Sequence, residues 1–365
     1  MRRQEATIRD VKVSAFTVPT ETPEADGTLS WHETTLIVTE VAAADRTGLG
    51  YTYGHKSTGS VAEALAERCL KGESAFDVPG LHASMRRQVR NDGSRGISAM
   101  AISALDVALW DLKAKLLGCS VSALLGKASG TVEVYGSGGF TSYSDEQLRR
   151  QLSGWVASGI HGVKMKVGSE PQADPERVKV ARKAIGPGPE LYVDANGAYS
   201  ATQALQLADT FAEQNVVWFE EPVSSDCPEE LHLVRERLPH GMQLAAGEYG
   251  YDGLYFRKLL QATAVDVLQA DATRCGGYTG FLEAAAIARG HGIPLSAHCA
   301  PTLHMHVACA VPGLRNIEYF FDHARIEQMF FDGFTPPRMG MLAPDDSRPG
   351  LGLMLKKQDA MKFAA

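Results

Sequence analysis

The sequence predicts an α/β protein: a parallel β/α barrel preceded by a smaller α+β unit. Three observations lead there. Six ionisable residues (Lys166, Asp194, Glu220, Glu248, Asp271 and His298) recur at intervals of 23 to 28 residues, each at or near the end of a short apolar run. That interval is about one strand, one helix and two loops, the repeat of a β/α barrel that delivers one group per repeat to a common rim. Beyond residue 132, strand-like and helix-like segments alternate strictly. The 365 residues also exceed a barrel of roughly 200 to 250 residues, which leaves room for a second unit.

The elements follow in order. Residues 11–18 and 34–41 are β-rich and flank a polar, Gly/Pro-containing stretch, 19–29, predicted to be a flexible loop in an antiparallel start. Between residues 60 and 125 the pattern is helical, with Ile102, Leu105, Leu109 and Leu112 on one face. Eight candidate strands come next, at 132–135, 163–167, 191–193, 216–219, 244–246, 265–268, 293–296 and 315–318. Segments 144–158, 201–214 and 280–291 have helical length and composition, and parallel strands joined by helices close into a barrel. After residue 330 the chain is Gly/Pro-rich and predicted irregular.

Bulk properties narrow the function. A net charge of −7 offers no footprint for nucleic acid, and no apolar stretch is long enough to span a bilayer. The six cysteines are scattered, with no CxxC pair, and the charged residues 1–10 lack the apolar segment of a signal peptide, so a cytoplasmic protein is expected.

Lys164 and Lys166 lie two apart in a strand and share a face, the barrel interior. Mutual repulsion and burial are expected to lower the pKa of one of them toward that of a usable base. Asp194, Glu220 and Glu248 each follow an apolar strand. Three converging carboxylates call for a hard cation, and Mg²⁺ suits an all-oxygen set. Glu221 is expected to point away from them and to form a structural ion pair. Asp271 and His298 end adjacent strands, where the carboxylate can fix the imidazole tautomer and raise its basicity. Glu318 ends the eighth strand as a further polar group. His304 and His306 are read as structural, and Cys299 is expected on the opposite face from His298. No G-x-S-x-G, phosphate-loop or dinucleotide motif is present.

Taken together, these residues resemble the enolase superfamily, mandelate racemase subgroup. The segment from Ala104 to Lys113 is similar to the helix that ends that family's capping domain, and the K-x-K pair, the three carboxylates, the Asp271/His298 pair and Glu318 follow in family order. The resemblance implies a modified TIM barrel, (β/α)7β (residues 129–335), an N-terminal α+β capping domain (1–128) and a C-terminal segment (336–365) returning to the cap. It implies Mg²⁺ on Asp194, Glu220 and Glu248, with Lys166 and His298 as acid/base residues acting through an enediolate. Lys164, Asn196 and Glu318 would contact substrate. Segments 19–29 and 50–58 would close over the site, with Trp31, Tyr53 and His55 as candidate specificity residues. The expected reaction is dehydration of a sugar acid to a 2-keto-3-deoxy acid. Racemisation or epimerisation of a 2-hydroxy acid, lactone cycloisomerisation and a non-catalytic binding role stand as alternatives, and a homo-oligomer is implied.

Overall fold

The computed structural model describes residues 6–365; the first five residues of the expected cap lie outside it. The chain opens with an antiparallel sheet of β1 (Ile8–Ala25), β2 (Ser30–Ala43) and β3 (Arg46–Tyr53). The expected flexible loop at 19–29 is instead mostly strand. β1 runs to Ala25, and only residues 26–29 form the turn. A register shift between Pro19 and Glu24 absorbs the prolines, which a regular ladder would not accept. Helices α1 (Ser57–Leu65), α2 (Val78–Gln88), α3 (Ile97–Leu117) and α4 (Val121–Leu125) complete the cap. Segment 50–58 is likewise ordered, from the end of β3 into α1.

Eight parallel strands follow: β4 (Val132–Gly138), β5 (Gly162–Lys166), β6 (Glu190–Asp194), β7 (Val216–Glu220), β8 (Gln243–Ala246), β9 (Val267–Ala270), β10 (Leu295–Ala297) and β11 (Ile317–Phe320). They pair in sequence order, and β11 pairs with β4 to close a modified TIM barrel under a capping domain. The connecting helices are α5 (Asp145–Ala157), α6 (Asp174–Ile185), α7 (Ala201–Ala212), α8 (Pro228–Arg235), α9 (Gly253–Gln261), α10 (Gly277–Gly290) and α11 (Pro301–Ala310). Several start on sequence-encoded caps: Ser144 with Gln147 and Ser200 with Gln203 form reciprocal capping boxes on α5 and α7. After α12 (Phe321–Phe330), the chain forms the short strands β12 (Phe331–Asp332), β13 (Met341–Leu342) and β14 (Met354–Leu355). Its last residues lie against the cap: Leu351 N–H donates to Asp111 (2.6 Å) and Ala365 N–H to the Ala15 carbonyl (3.0 Å).

Tyr135, Tyr192 and Trp218 fill the barrel floor as one buried cluster. Because side chains two apart in a strand share a face, Ser137, Asp194 and Glu220 point inward one layer above those rings. The cap closes that upper end through specific contacts. Thr279 donates from its hydroxyl (2.7 Å) and its N–H (3.0 Å) to the buried Asp106 of α3, while the N–H groups of Gly276 and Gly277 reach Ser103 (2.8 and 3.1 Å). Gly277 has φ +77°, and a Cβ there would sit 2.4 Å from Asp106 Oδ2, so only glycine fits. At the β1–β2 turn, a Cβ on Gly27 would meet the Ala195 carbonyl at 2.4 Å; the hairpin tip therefore rests on the loop after β6.

Candidate active site

Strand register brings the key side chains into one row. Lys166 of β5 is paired with Asp194 of β6, and Asp194 with Glu220 of β7, all at the strands' C-terminal ends. Glu248 follows β8 by two residues and joins them: oxygens of Asp194, Glu220 and Glu248 lie within 4.8 Å of one another, and all three side chains are buried. In a Mg²⁺ octahedron with bonds of about 2.1 Å, neighbouring oxygens stand about 3 Å apart and opposite ones about 4.2 Å, which this cluster can satisfy.

Charge supports the same fit. The carboxylates of Asp194, Glu220, Glu221, Glu248, Asp271 and Glu318 are all buried and outnumber the fixed cations among them, Lys164, Lys166 and Arg274. Burial, and then the neighbouring charge of Asp194, push the Glu220 carboxyl up to about 8. For Asp194 burial acts upward too, but Lys166 and Lys164 outweigh it and hold that carboxyl low. Glu248 Oε2 is buried with no hydrogen-bond partner. An orphaned carboxyl oxygen beside crowded acidic side chains is the arrangement a divalent cation relieves.

Lys164 is fully buried and donates to Glu220 Oε1 (2.5 Å), with Glu318 Oε1 at 2.8 Å and Asp194 Oδ2 at 3.4 Å. Lys166 donates to Asp194 Oδ2 (2.5 Å). The sequence predicts a lowered pKa for one lysine. Burial and Lys164 do act downward on Lys166, but the Asp194 charge prevails and its pKa is raised; that of Lys164 is raised also, by Glu220 and Glu318 against burial.

Across the barrel mouth, His298 Nδ1 lies 2.8 Å from Asp271 Oδ2, and Nε2 faces Glu248 Oε2 at 3.4 Å. Burial lowers the imidazole pKa, but Glu248, Glu318 and the Asp271 hydrogen bond outweigh it, so the net shift is upward. Asp271 is itself fixed by the Thr273 N–H (2.7 Å). His304 is held by backbone: its Nδ1 lies 2.9 Å from the Cys299 carbonyl, and its Nε2 accepts from the Ala272 N–H at 2.8 Å. His306 bridges Ser122 N–H (3.4 Å) and the Leu351 carbonyl (3.2 Å).

Two side-chain directions differ from expectation. Among the described residues Glu221 makes no ion pair: its carboxyl is buried beside Glu248, Asp194 and Glu220, with Oε1 unpartnered. Cys299 does not point away: its Sγ is 3.2 Å from His298 Nε2. Both residues lie beyond their strands' ends and have positive φ (+37° and +53°), so strand alternation no longer sets their direction.

Ser137 was missed as a site member. Ser137 donates to Glu318 Oε1 (2.5 Å), and its signal was present: it sits two residues after the inward Tyr135. Arg274 donates to the Glu248 carbonyl and carboxylate (3.2 and 3.3 Å) and lies over the Tyr249 ring at 5.2 Å. Asn196, at φ +48°, keeps a buried, unpartnered Oδ1. Of the cap candidates, Trp31 donates to Glu24 (2.9 Å) and meets Phe140 edge-on. Tyr53 is used by the cap–barrel seam, stacked on His323 at 3.4 Å with its hydroxyl on the His323 carbonyl. His55 is exposed, and its hydrogen bonds go to Ser57.

The family comparisons agree with this geometry. Residues 8–126 match the mandelate racemase/muconate lactonizing enzyme N-terminal domain, and residues 147–360 match the enolase C-terminal domain-like family. This chain belongs to the mandelate racemase subgroup of the enolase superfamily. It is 30% identical over 360 residues to L-talarate/galactarate dehydratase from Salmonella typhimurium, covering 95% of this chain and 89% of that protein. To D-galactarolactone cycloisomerase from Agrobacterium fabrum it is 31% identical over 284 residues, 76% and 74% of the two. A mandelate racemase/muconate lactonizing enzyme-like protein from Rubrobacter xylanophilus superposes with TM-score 0.96 at 51% identity, covering 98% of this chain and 100% of the other. L-talarate dehydratase from Polaromonas, solved with Mg and L-glucarate, superposes with TM-score 0.88 at 32% identity, covering 98% and 97%. The protein is thus an enzyme of a family of lyases and isomerases, and Mg²⁺ is its cofactor.

Proposed function

We propose that this enzyme binds a sugar acid by its carboxylate, removes the α-proton and expels the β-hydroxyl as water, giving a 2-keto-3-deoxy acid. The observation that carries the reading is the placement of two proton carriers on opposite sides of one carboxylate cluster. Lys166 meets Asp194 from β5 (2.5 Å), and His298 faces Glu248 from the end of β10 (3.4 Å), with four strands between them one way round the barrel and two the other.

Asp194, Glu220 and Glu248 would hold the cation, and its positive charge would offset the negative charge that builds on the substrate carboxylate as the α-proton leaves. Lys164 adds a fixed positive charge beside that carboxylate. Ligation would draw Asp194 away from Lys166, and the repulsion from Lys164 would then favour the neutral amine of Lys166, the form that takes a proton. Asp271 fixes the tautomer of His298 and leaves Nε2 to take or give a proton. In dehydration, one of the two residues takes the α-proton. The other protonates the β-hydroxyl as its C–O bond breaks, and the resulting enol takes a proton at carbon 3 to become the keto acid. Glu318, aimed by Ser137 and Lys164, contributes a polar contact to the substrate, as does Asn196 through its free Oδ1.

A polyhydroxylated substrate is favoured by a cavity of about 520 Å³ whose lining includes Thr28 of the hairpin turn, Arg95 of the cap, and Asn196, Glu221 and Tyr249. Each of those groups offers hydrogen bonds, as the hydroxyls of a sugar acid require. The two-base geometry also permits epimerisation or cycloisomerisation. Incubating the Mg²⁺ enzyme with aldonate and aldarate panels decides: keto-acid formation supports dehydration, whereas interconversion of a 2-hydroxy acid with no keto product overturns it. The proposal includes a homo-oligomer, which rests on the family resemblance, and a cytoplasmic setting, consistent with six free thiols.

A further inference from the structure

A second set of metal-competent donors stands at the end of β10. His298 Nε2, Cys299 Sγ and Glu318 Oε2 are mutually close: Nε2 to Sγ is 3.2 Å, Sγ to Oε2 3.6 Å and Nε2 to Oε2 3.6 Å, and all three residues are buried. Tetrahedral zinc, with bonds of about 2.0 Å to N and O and 2.3 Å to S, places its donor atoms about 3.3–3.6 Å apart. The triangle needs almost no rearrangement to meet that geometry.

Each donor is aimed by a contact of its own. Asp271 occupies Nδ1 of His298 and leaves Nε2 to coordinate, the usual support for a metal-bound imidazole. Left-handed backbone at Cys299 and Ala300 (φ +53° and +38°) folds the thiol back toward the ring, and Cys299 N–H donates to Glu318 Oε2 at 3.2 Å. Ser137 and Lys164 hold the other oxygen of Glu318. The remaining side faces Glu248 Oε2, an oxygen without a hydrogen bond in a residue 3% exposed, 3.4 Å from Nε2. Among the described residues, no other cysteine belongs to such a cluster.

We propose that His298, Cys299 and Glu318 form a site for a thiophilic divalent cation, Zn²⁺ in particular, separate from the Mg²⁺ cluster. Occupancy of this site stops catalysis by engaging His298 Nε2. The donor sets sort the two ions. A thiolate and an imidazole favour zinc over Mg²⁺, while the all-oxygen trio favours Mg²⁺. As the sulfur–metal bond forms, the thiol proton leaves to solvent, and no electrons are transferred. The inhibition rests on the catalytic reading of His298, but the binding does not.

Binding is therefore tested alone, with Cd²⁺ as a spectroscopic probe. The folded enzyme in saturating Mg²⁺ is titrated with Cd²⁺, and ultraviolet thiolate-to-cadmium charge transfer is recorded. One equivalent per chain is expected, absent in Cys299→Ala and in the near-isosteric Cys299→Ser, and present in Asp194→Asn, which impairs the Mg²⁺ cluster. No band in the native enzyme, a band that survives both cysteine variants, or one that disappears in folded Asp194→Asn overturns the site. With Zn²⁺ and turnover as the readout, Cys299→Ala should raise the half-inhibitory concentration by more than about tenfold. An unchanged value with the cadmium result intact would overturn the inhibition and leave the site.

Discussion

Lys164→Met is the most informative single perturbation of the buried cluster. The substitution keeps most of the side-chain volume and removes one ammonium that touches three carboxylates, at 2.5 Å (Glu220), 2.8 Å (Glu318) and 3.4 Å (Asp194), in a position with no solvent exposure. Removing one partner of a buried ion pair costs about 3–5 kcal/mol, chiefly because the remaining charge is left uncompensated. Without divalent cation, the variant should lose about that much stability. Saturating Mg²⁺ should restore part of it, because the same carboxylates then face a cation, and ligand at a hundredfold its dissociation constant adds about 2.7 kcal/mol. The pH dependence has a definite sign. Glu220 is raised from an ordinary 4.5 to about 8 in the folded protein, so the native state holds its proton more tightly than the unfolded chain. That contribution is complete below pH 4.5 and is lost as pH rises through about 8; deleting Lys164, which pulls the value down, extends the loss to higher pH. Urea unfolding followed by fluorescence, in chelator and in Mg²⁺ at several pH values, measures all of this. A loss below about 1 kcal/mol in chelator, the range of an exposed ion pair, or an equal loss with and without Mg²⁺, would refute the reasoning.

Other outcomes follow from the same geometry. Asp271→Asn removes the charged partner of His298 Nδ1, and turnover should fall roughly 10²-fold with Mg²⁺ affinity unchanged, as read by steady-state kinetics and calorimetry. Gly277→Ala forces a Cβ to 2.4 Å from Asp106 at φ +77° and should cost about 1–3 kcal/mol or more, seen as a lower melting temperature. Glu24, raised to about 8 by burial and then by Asp322, should make native stability decline between pH 4.5 and 8. Glu24→Gln should flatten that decline in pH-dependent unfolding.

Much of this architecture was legible because a barrel strand is a short apolar run with fixed side-chain alternation. Strands β4 to β8 fall within a few residues of expectation. The last three begin two residues later than predicted, because Val265, Ile293 and Arg315 lead into β9, β10 and β11 without joining the ladder. The hairpin at 19–29 was misread for a related reason: prolines and polar residues mark loops in regular sheets, yet a bulged strand that reaches over the barrel mouth accepts both. Asp194, Glu220, Lys164 and Lys166 were readable because they lie inside their strands. Glu221 and Cys299 were misoriented because each is one or two residues past a strand end, where a left-handed backbone replaces alternation. Strand alternation does not set the contact of Arg274 with Glu248, which depends on how the loop after β9 folds.

The central claim is that one carboxylate-bound cation lies between two proton carriers, Lys166 and His298. Proton–deuterium exchange at the α-carbon of a bound sugar acid in D₂O, followed by NMR in the Mg²⁺ enzyme and in Lys166→Ala and His298→Ala, tests it most directly. The account predicts exchange in the native enzyme, lost for one configuration at the α-carbon in the first variant and for the opposite configuration in the second. Exchange that persists in both variants, or that proceeds in full after Mg²⁺ is removed, would contradict it.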